Sequence, residues 1–263
     1  MKVVLKLGGS LITDKAKAYT AREEIIQSLA RRMKEAQDKG ALILVVHGGG
    51  SFGHVAAKSE IDKHGKLHPT SVPGISSAMM NLNSIVMTHL LRAGLRAVTY
   101  PPHSMCLYSC RESRFNCSLQ PLYEAADAGL LPVTFGDVVL GERGCEPKII
   151  SGDDLALMMG SRIGADRIIF ATDVDGVMRN PSNPLTLIET IRAEDIPKII
   201  SEISFTSNGT VDVTSGLLGK IMKIYSYLSS LSQRPEVLII NGRIEERVLG
   251  ALLGADVRGT RII

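Results

Sequence analysis

Residues 40–54 read GALILVVHGGGSFGH, an apolar run that ends in three consecutive glycines set between two histidines. Glycine loses more backbone freedom on folding than any other residue, so a cluster of three is tolerated only where positive φ or a very close backbone approach is required. Two local structures meet that need. One is a tight strand-to-helix turn, and the other is a loop whose bare N–H groups close on an anion such as phosphate. Taken alone, the cluster leaves both open.

The run belongs to a series. KVVLKL, ALILVV, LRAVTY, LLPVTF, RIIFAT and EVLIIN recur between helical stretches. That alternation predicts an α/β fold with a largely parallel sheet covered by helices on both faces. Between the first two runs, a helix is expected to open on Thr20, with Glu23 in capping-box position, and to close at Gly40. It would turn Ile25, Leu29 and Met33 toward the sheet. A second helix is expected over 75–93, where Ile75, Met79, Leu82, Val86 and Leu90 form an apolar stripe at steps of three and four. Further helices are expected from Ser151 and within SGLLGKIMKIYSYLSSL, and 173–186 reads as a long functional loop. No fixed-period repeat or flexible linker divides the chain.

Composition removes several function classes. The 30 Lys and Arg nearly balance 27 Asp and Glu, the basic residues are scattered, and only 4% of residues are aromatic. Neither a basic stripe nor a stacking platform for bases is present, so nucleic acid is not an expected partner. The apolar start MKVVLKL is too short for a signal peptide and no stretch approaches a membrane span, so a cytoplasmic protein without membrane contact is expected. Cys106, Cys110, Cys117 and Cys145 are then expected as reduced thiols. His103 lies near two of them, but the paired spacing of a structural zinc site is missing and no metal site is expected.

Three more glycine clusters join the first: KLGGS at 6–10, SGDD at 151–154 and TSGLLGK at 214–220. Each cluster sets backbone N–H groups at the carboxyl end of a strand or the amino end of a helix, where open α/β sheets bind ligands and helix dipoles favour anions. Turns alone do not explain four such loops. GxxxxGK[ST] is absent, and the glycines are spread over four separate loops, so separate cradles for two phosphorylated ligands are indicated, a geometry for phosphoryl transfer. A phosphate monoester acceptor, with a second pKa of about 6, is its own nucleophile and needs no general base. What it needs is charge neutralisation. Lys6, Lys15, Lys220 and His54 could supply it.

The order of these motifs, with TDVDG at 172–176 and DVTSGLLGK at 212–220, resembles the amino acid kinase superfamily and, within it, the isopentenyl phosphate kinase family. The SFGH ending of the second loop points to phosphate or phosphonate acceptors. The resemblance implies an open αβα sandwich in one domain over 1–263, with an acceptor-binding and dimerisation lobe over about 1–165 and a nucleotide-binding lobe over 166–263. It further implies ATP with Mg2+, a homodimer, and conversion of isopentenyl phosphate to isopentenyl diphosphate.

By the same resemblance Lys6, Leu7, Gly8, Gly9 and Ser10 would contact the ATP phosphates, and Gly50 the transferring group. Asp173, Gly216 and Lys220 would hold nucleotide, while Gly49, His54 and Gly152 would hold the acceptor. Lys15 would stabilise the transition state, and Asp153 would orient Lys6 and Lys220 without touching substrate. His47 and Asp154 are taken as structural. Met79, Leu82 and Val86 are candidates for the wall of an apolar tail pocket, against the simpler reading that they are core. Where family members carry Gly-Gly, this chain has Ser215-Gly216. A fosfomycin kinase and a phosphate-binding protein of the same fold are the competing functions.

Overall fold

A computed structural model describes residues 1–180, 183–206, 217–231 and 234–263. Its strands are β1 (Lys2–Leu7), β2 (Leu42–His47), β3 (Ala97–Thr99), β4 (Cys106–Ser109), β5 (Arg114–Cys117), β6 (Leu131–Phe135), β7 (Asp137–Val139), β8 (Lys148–Ile150), β9 (Arg167–Thr172), β10 (Thr190–Ile191), β11 (Glu236–Asn241) and β12 (Thr260–Ile262). Its α-helices are α1 (Gly9–Ile12), α2 (Glu23–Asp38), α3 (Gly50–His64), α4 (Val72–Arg92), α5 (Pro102–Met105), α6 (Gln120–Asp127), α7 (Gly152–Arg162), α8 (Ile196–Thr206), α9 (Gly219–Ser229) and α10 (Glu245–Leu252).

All six runs expected as strands lie in one eight-stranded sheet of order β10-β12-β11-β9-β1-β2-β6-β3. Its pairings are parallel except β11 with β12. Side chains alternate across the strands, so Val4, Leu44, Val46 and Phe170 bury into one face against α6, α7, α8 and α9. Val3, Leu5, Ile43 and Val45 bury into the other against α2, α4 and α10. A third, small apolar cluster of Ala56, Ala57, Ile75, Ala78 and Val138 joins α3, α4 and β7. The sheet thus lies between helical layers, as the strand pattern predicts.

Local departures have physical causes. Thr20 does not cap α2: Arg22 donates its N–H to Ile12 O and Thr13 bridges Ala21, which keeps 20–22 extended. The helix starts at Glu23, whose carboxylate pairs with His89 of α4 at 2.9 Å. The buried face of α2 is centred on Ile26, Leu29, Ala30 and Met33, and Ile25 is half-buried at its margin. Ser151 does cap α7, in a reciprocal box with Asp154.

The cysteines are not reduced thiols. Cys106 and Cys117 face each other across the β4–β5 hairpin and are disulfide-bonded, with Cα atoms 4.1 Å apart. A second bond joins Cys110, in the turn of that hairpin, to Cys145, in the connection between β7 and β8. The pairing depends on the register of two short hairpins that carry no strong strand signal, so spacing along the chain does not show it. No helix among the described residues is long and apolar enough to cross a membrane.

Candidate active site

β1, β2, β6 and β9 are neighbours in the sheet, and the segments leaving their carboxyl ends meet at one edge. There the glycines of the different loops touch through backbone alone. A Cβ on Gly9 would lie 2.4 Å from Gly50 N, and one on Gly48 would lie 2.7 Å from Gly9 N. Gly50 has φ of +47°, and its Cβ would fall 2.0 Å from Thr13 Oγ1. Only glycine can occupy that position. The Thr13 hydroxyl fastens the two loops together, donating to Gly9 O at 2.7 Å while accepting Ser51 N–H at 2.9 Å. A third approach brings Gly136, after β6, within 2.9 Å of Gly152 N when a Cβ is placed on it.

Backbone donors decide between turn and anion loop. The N–H groups of Gly9, Ser10, Gly49, Gly50 and Gly152 have no acceptor among the described residues. All five residues are buried or half-buried, where an N–H group is rarely left unpaired. They open or precede α1, α3 and α7, so free donors and helix dipoles point the same way. Such an arrangement suits an anion.

Charge is placed at its floor. Asp153, in the first turn of α7, forms an ion pair with Lys6 Nζ from β1 at 2.8 Å and accepts a hydrogen bond from Lys220 Nζ of α9 at 2.6 Å. Burial would raise the Asp153 carboxyl, but the two lysines more than reverse this and hold it well below the usual carboxylate range. Burial, together with repulsion from Lys6, pushes Lys220 down to about 7, against the pull of Asp153. Two cations share one anion, so the cluster carries spare positive charge toward any phosphate above it. The Lys220 ammonium also stands 4.9 Å from the centre of the Phe170 ring. Next to this group, Ser10 Oγ donates to Asp173 Oδ1 at 2.8 Å. Asp154 is turned away, held by Ser151 and Lys223.

Other expected site residues lie further out. His54 is exposed on α3, one turn beyond Gly50, and has no polar partner among the described residues. Lys15 is exposed in the turn after Thr13. Leu7 buries its side chain in the core and offers only its carbonyl, which accepts Gly48 N–H. Gly216 and Ser215 lie outside the described residues. Leu82 and Val86 are fully buried against the sheet, whereas Met79 sits under the second loop, with Sδ 3.0 Å from a Cβ placed on Gly49.

Sequence reasoning did not single out Thr13, Asn83, or the apolar cluster that joins Ala57 to Val138. Nor did it find an apolar cavity of about 190 Å3 beside Asp173 and Lys220, lined by Val174, Val177, Met178, Ile203, Leu217 and Leu218. A wider cavity of about 790 Å3 lies between the β4–β5 hairpin and α7 and includes no expected site residue.

Known proteins resemble this chain over most or all of its length. Residues 1–241 match the model of the amino acid kinase family. An isopentenyl phosphate kinase of Methanocaldococcus jannaschii is 31% identical, with all of this chain and 98% of that protein covered. One of Methanothermobacter thermautotrophicus is 34% identical, covering 99% and 98%. Among solved structures, an isopentenyl phosphate kinase superposes with a TM-score of 0.78 at 28% identity over the full length of both chains. The product complex of the Thermoplasma acidophilum isopentenyl phosphate kinase superposes with a TM-score of 0.73 at the same identity, again over both full lengths.

Proposed function

This chain belongs to the amino acid kinase family, and from that premise we propose that it transfers the γ-phosphoryl group of ATP to isopentenyl phosphate, giving isopentenyl diphosphate and ADP. One observation carries the reading: two sets of unpaired N–H donors, at the ends of β1 and β2, lie in backbone contact beside a carboxylate shared by two lysines. A pair of phosphates seated there would face each other across that contact.

The acceptor phosphate supplies its own attacking oxygen, so the protein's work is positioning and charge neutralisation. Gly9 and Ser10 N–H would hold the ATP phosphates, and Gly49 N–H with His54 the acceptor. Gly50 N–H and Lys6 would meet the group in transfer, Lys220 the charge that develops on the donor side, and Lys15 would close from its exposed turn. Gly152 N–H would add to the acceptor seat, and Asp153 fixes both buried lysines. The apolar cavity beside Asp173 suits a nucleobase. These placements divide the domain into an acceptor side, about 1–165, and a nucleotide side over 166–263.

Among the described residues no three carboxylate, imidazole or thiolate side chains converge to hold a metal ion. Asp153 is already engaged by lysines. The described residues therefore offer no cage for Mg2+, which would arrive with the nucleotide. For the isoprenoid tail, Ala56 and Ala57, on the same helix as His54, form with Ile75, Ala78 and Val138 a cluster that suits an apolar chain. A homodimer is supported by Met80 and Leu91, exposed on α4 at 38% and 55%, next to the open edge of β3. Sedimentation at micromolar concentration should give twice the mass of 28.3 kDa, and a monomer there removes that part.

The deciding assay follows ADP release with isopentenyl phosphate, fosfomycin, UMP and glutamate as acceptors. Turnover with isopentenyl phosphate, and identification of isopentenyl diphosphate, is the expected result. Preference for fosfomycin would overturn the acceptor while leaving the phosphoryl transfer.

A further inference from the structure

We propose that Asn83 and Thr99 aim the N–H of Gly49 at the acceptor phosphate by holding the His47 ring in a single tautomer. The inference rests on the acceptor role given to the second glycine loop. Its geometry lies beneath that loop, out of reach of substrate.

His47 ends β2 and is fully buried, its ring stacked on Phe135 with centroids 5.2 Å apart. Nδ1 lies 3.2 Å from Gly48 O, and Nε2 lies 3.3 Å from the Asn83 amide, which is itself 2.9 Å from Thr99 Oγ1. Burial, with the Lys6 charge adding to it, lowers the ring to about 4 and keeps it neutral near pH 7. A neutral imidazole has one N–H and one lone pair. Set between two carbonyl oxygens, it would satisfy one and repel the other.

A half turn of the Asn83 amide removes the conflict, because it exchanges the oxygen and the NH2 group. The Thr99 hydroxyl then donates to Asn83 Oδ1, Asn83 donates to His47 Nε2, and His47 Nδ1–H donates to Gly48 O. Every group is satisfied, and the donors run in one direction toward the loop. In a trans peptide the C=O and the next N–H point oppositely. With Gly48 O drawn inward to the ring, the Gly49 N–H is turned outward, and it has no acceptor among the described residues. Met79, one turn before Asn83 on α4, backs the same peptide from below. Asn83 and Thr99 are thus positioning residues acting through His47.

Two measurements on the intact protein test this. Imidazole 15N NMR of the unliganded protein should show His47 as the Nδ1–H tautomer, and Thr99→Val should convert part of it to the Nε2–H form. In steady-state kinetics, Thr99→Val and Asn83→Leu should raise KM for isopentenyl phosphate about tenfold, the scale of one misdirected hydrogen bond, with KM for ATP unchanged. Thr99→Ser should restore both readouts. An Nε2–H tautomer in the parent protein overturns the lock. So does a Thr99→Val variant in which both KM values stay constant or move together with the melting temperature. Should Asn83→Leu fail to fold, the threonine pair decides. A parent protein with no turnover of isopentenyl phosphate sinks the acceptor reading, and the tautomer measurement still decides the lock.

Discussion

Two ammonium groups divide one carboxylate at the floor of the site, and one of them, Lys220, holds its proton weakly. Lys220 is charged below about 7 in the free protein. As pH rises through that value the positive charge is lost, so kcat/KM for ATP should fall. Bound phosphates favour the charged form, so kcat at saturating ATP should stay level to higher pH. Lys220→Arg, whose guanidinium does not deprotonate, should abolish the decline even at a lower absolute rate. A decline that persists in this variant would assign it to another group. His54, by contrast, acts alone from an exposed position. His54→Ala should lower kcat/KM for isopentenyl phosphate about 10- to 100-fold, the worth of a charge-assisted bond, with the melting temperature and KM for ATP unchanged. Lys6, Asp153 and Lys220 were legible in the sequence because each lies in or beside a glycine loop whose chemistry is local. Thr13 and Asn83 were not, because their partners are delivered by loops and strands distant in sequence.

Elements place these groups, and α4 shows how periodicity informs and misleads. Its apolar stripe was legible as a buried helix face, but spacing alone does not say whether that face meets a sheet or a ligand. The structure sets Leu82 and Val86 against β-strands, while the small cluster with Val138, proposed for the acceptor's tail, joins α3, α4 and β7. Leu82→Ala should therefore cost about 2–5 kcal/mol of stability, the usual cost of a core cavity, and leave the preference between five- and ten-carbon phosphates unchanged. Val138→Ala should shift that preference toward the longer chain by about 1–3 kcal/mol per accommodated methylene. Equal kcat/KM ratios in Val138→Ala and the parent would exclude β7 from the tail pocket. The two hairpins were illegible because their strands span three or four residues each. They are nonetheless cross-linked, and the Cys110–Cys145 bond closes a separation of 35 residues. Treatment with a dithiol should reduce unfolding stability by about 2–4 kcal/mol, read from urea midpoints with and without reductant. Identical midpoints would show that the bonds contribute nothing.

At the scale of the whole molecule, the parallel sheet was the most legible feature, since six of its eight strands lie in β-branched or leucine-rich runs that alternate with helical stretches. The order of those strands was not legible from their spacing, and it is the order that matters: β1 lies between β2 and β9, so two segments far apart in sequence open onto one edge. Gly9 and Gly50 meet at that edge with no side chain between them. In the proposed arrangement, the distance between the two phosphate seats would follow the spacing of adjacent strands, about 4.8 Å. A hydrogen-bonded ladder is a stiff length, and with the phosphates so seated it would serve as a gauge block for the reactants. Residues along the tail pocket can then alter which acceptor enters without altering how far its phosphate stands from the donor. Warming the protein should empty the seats well before it moves them apart.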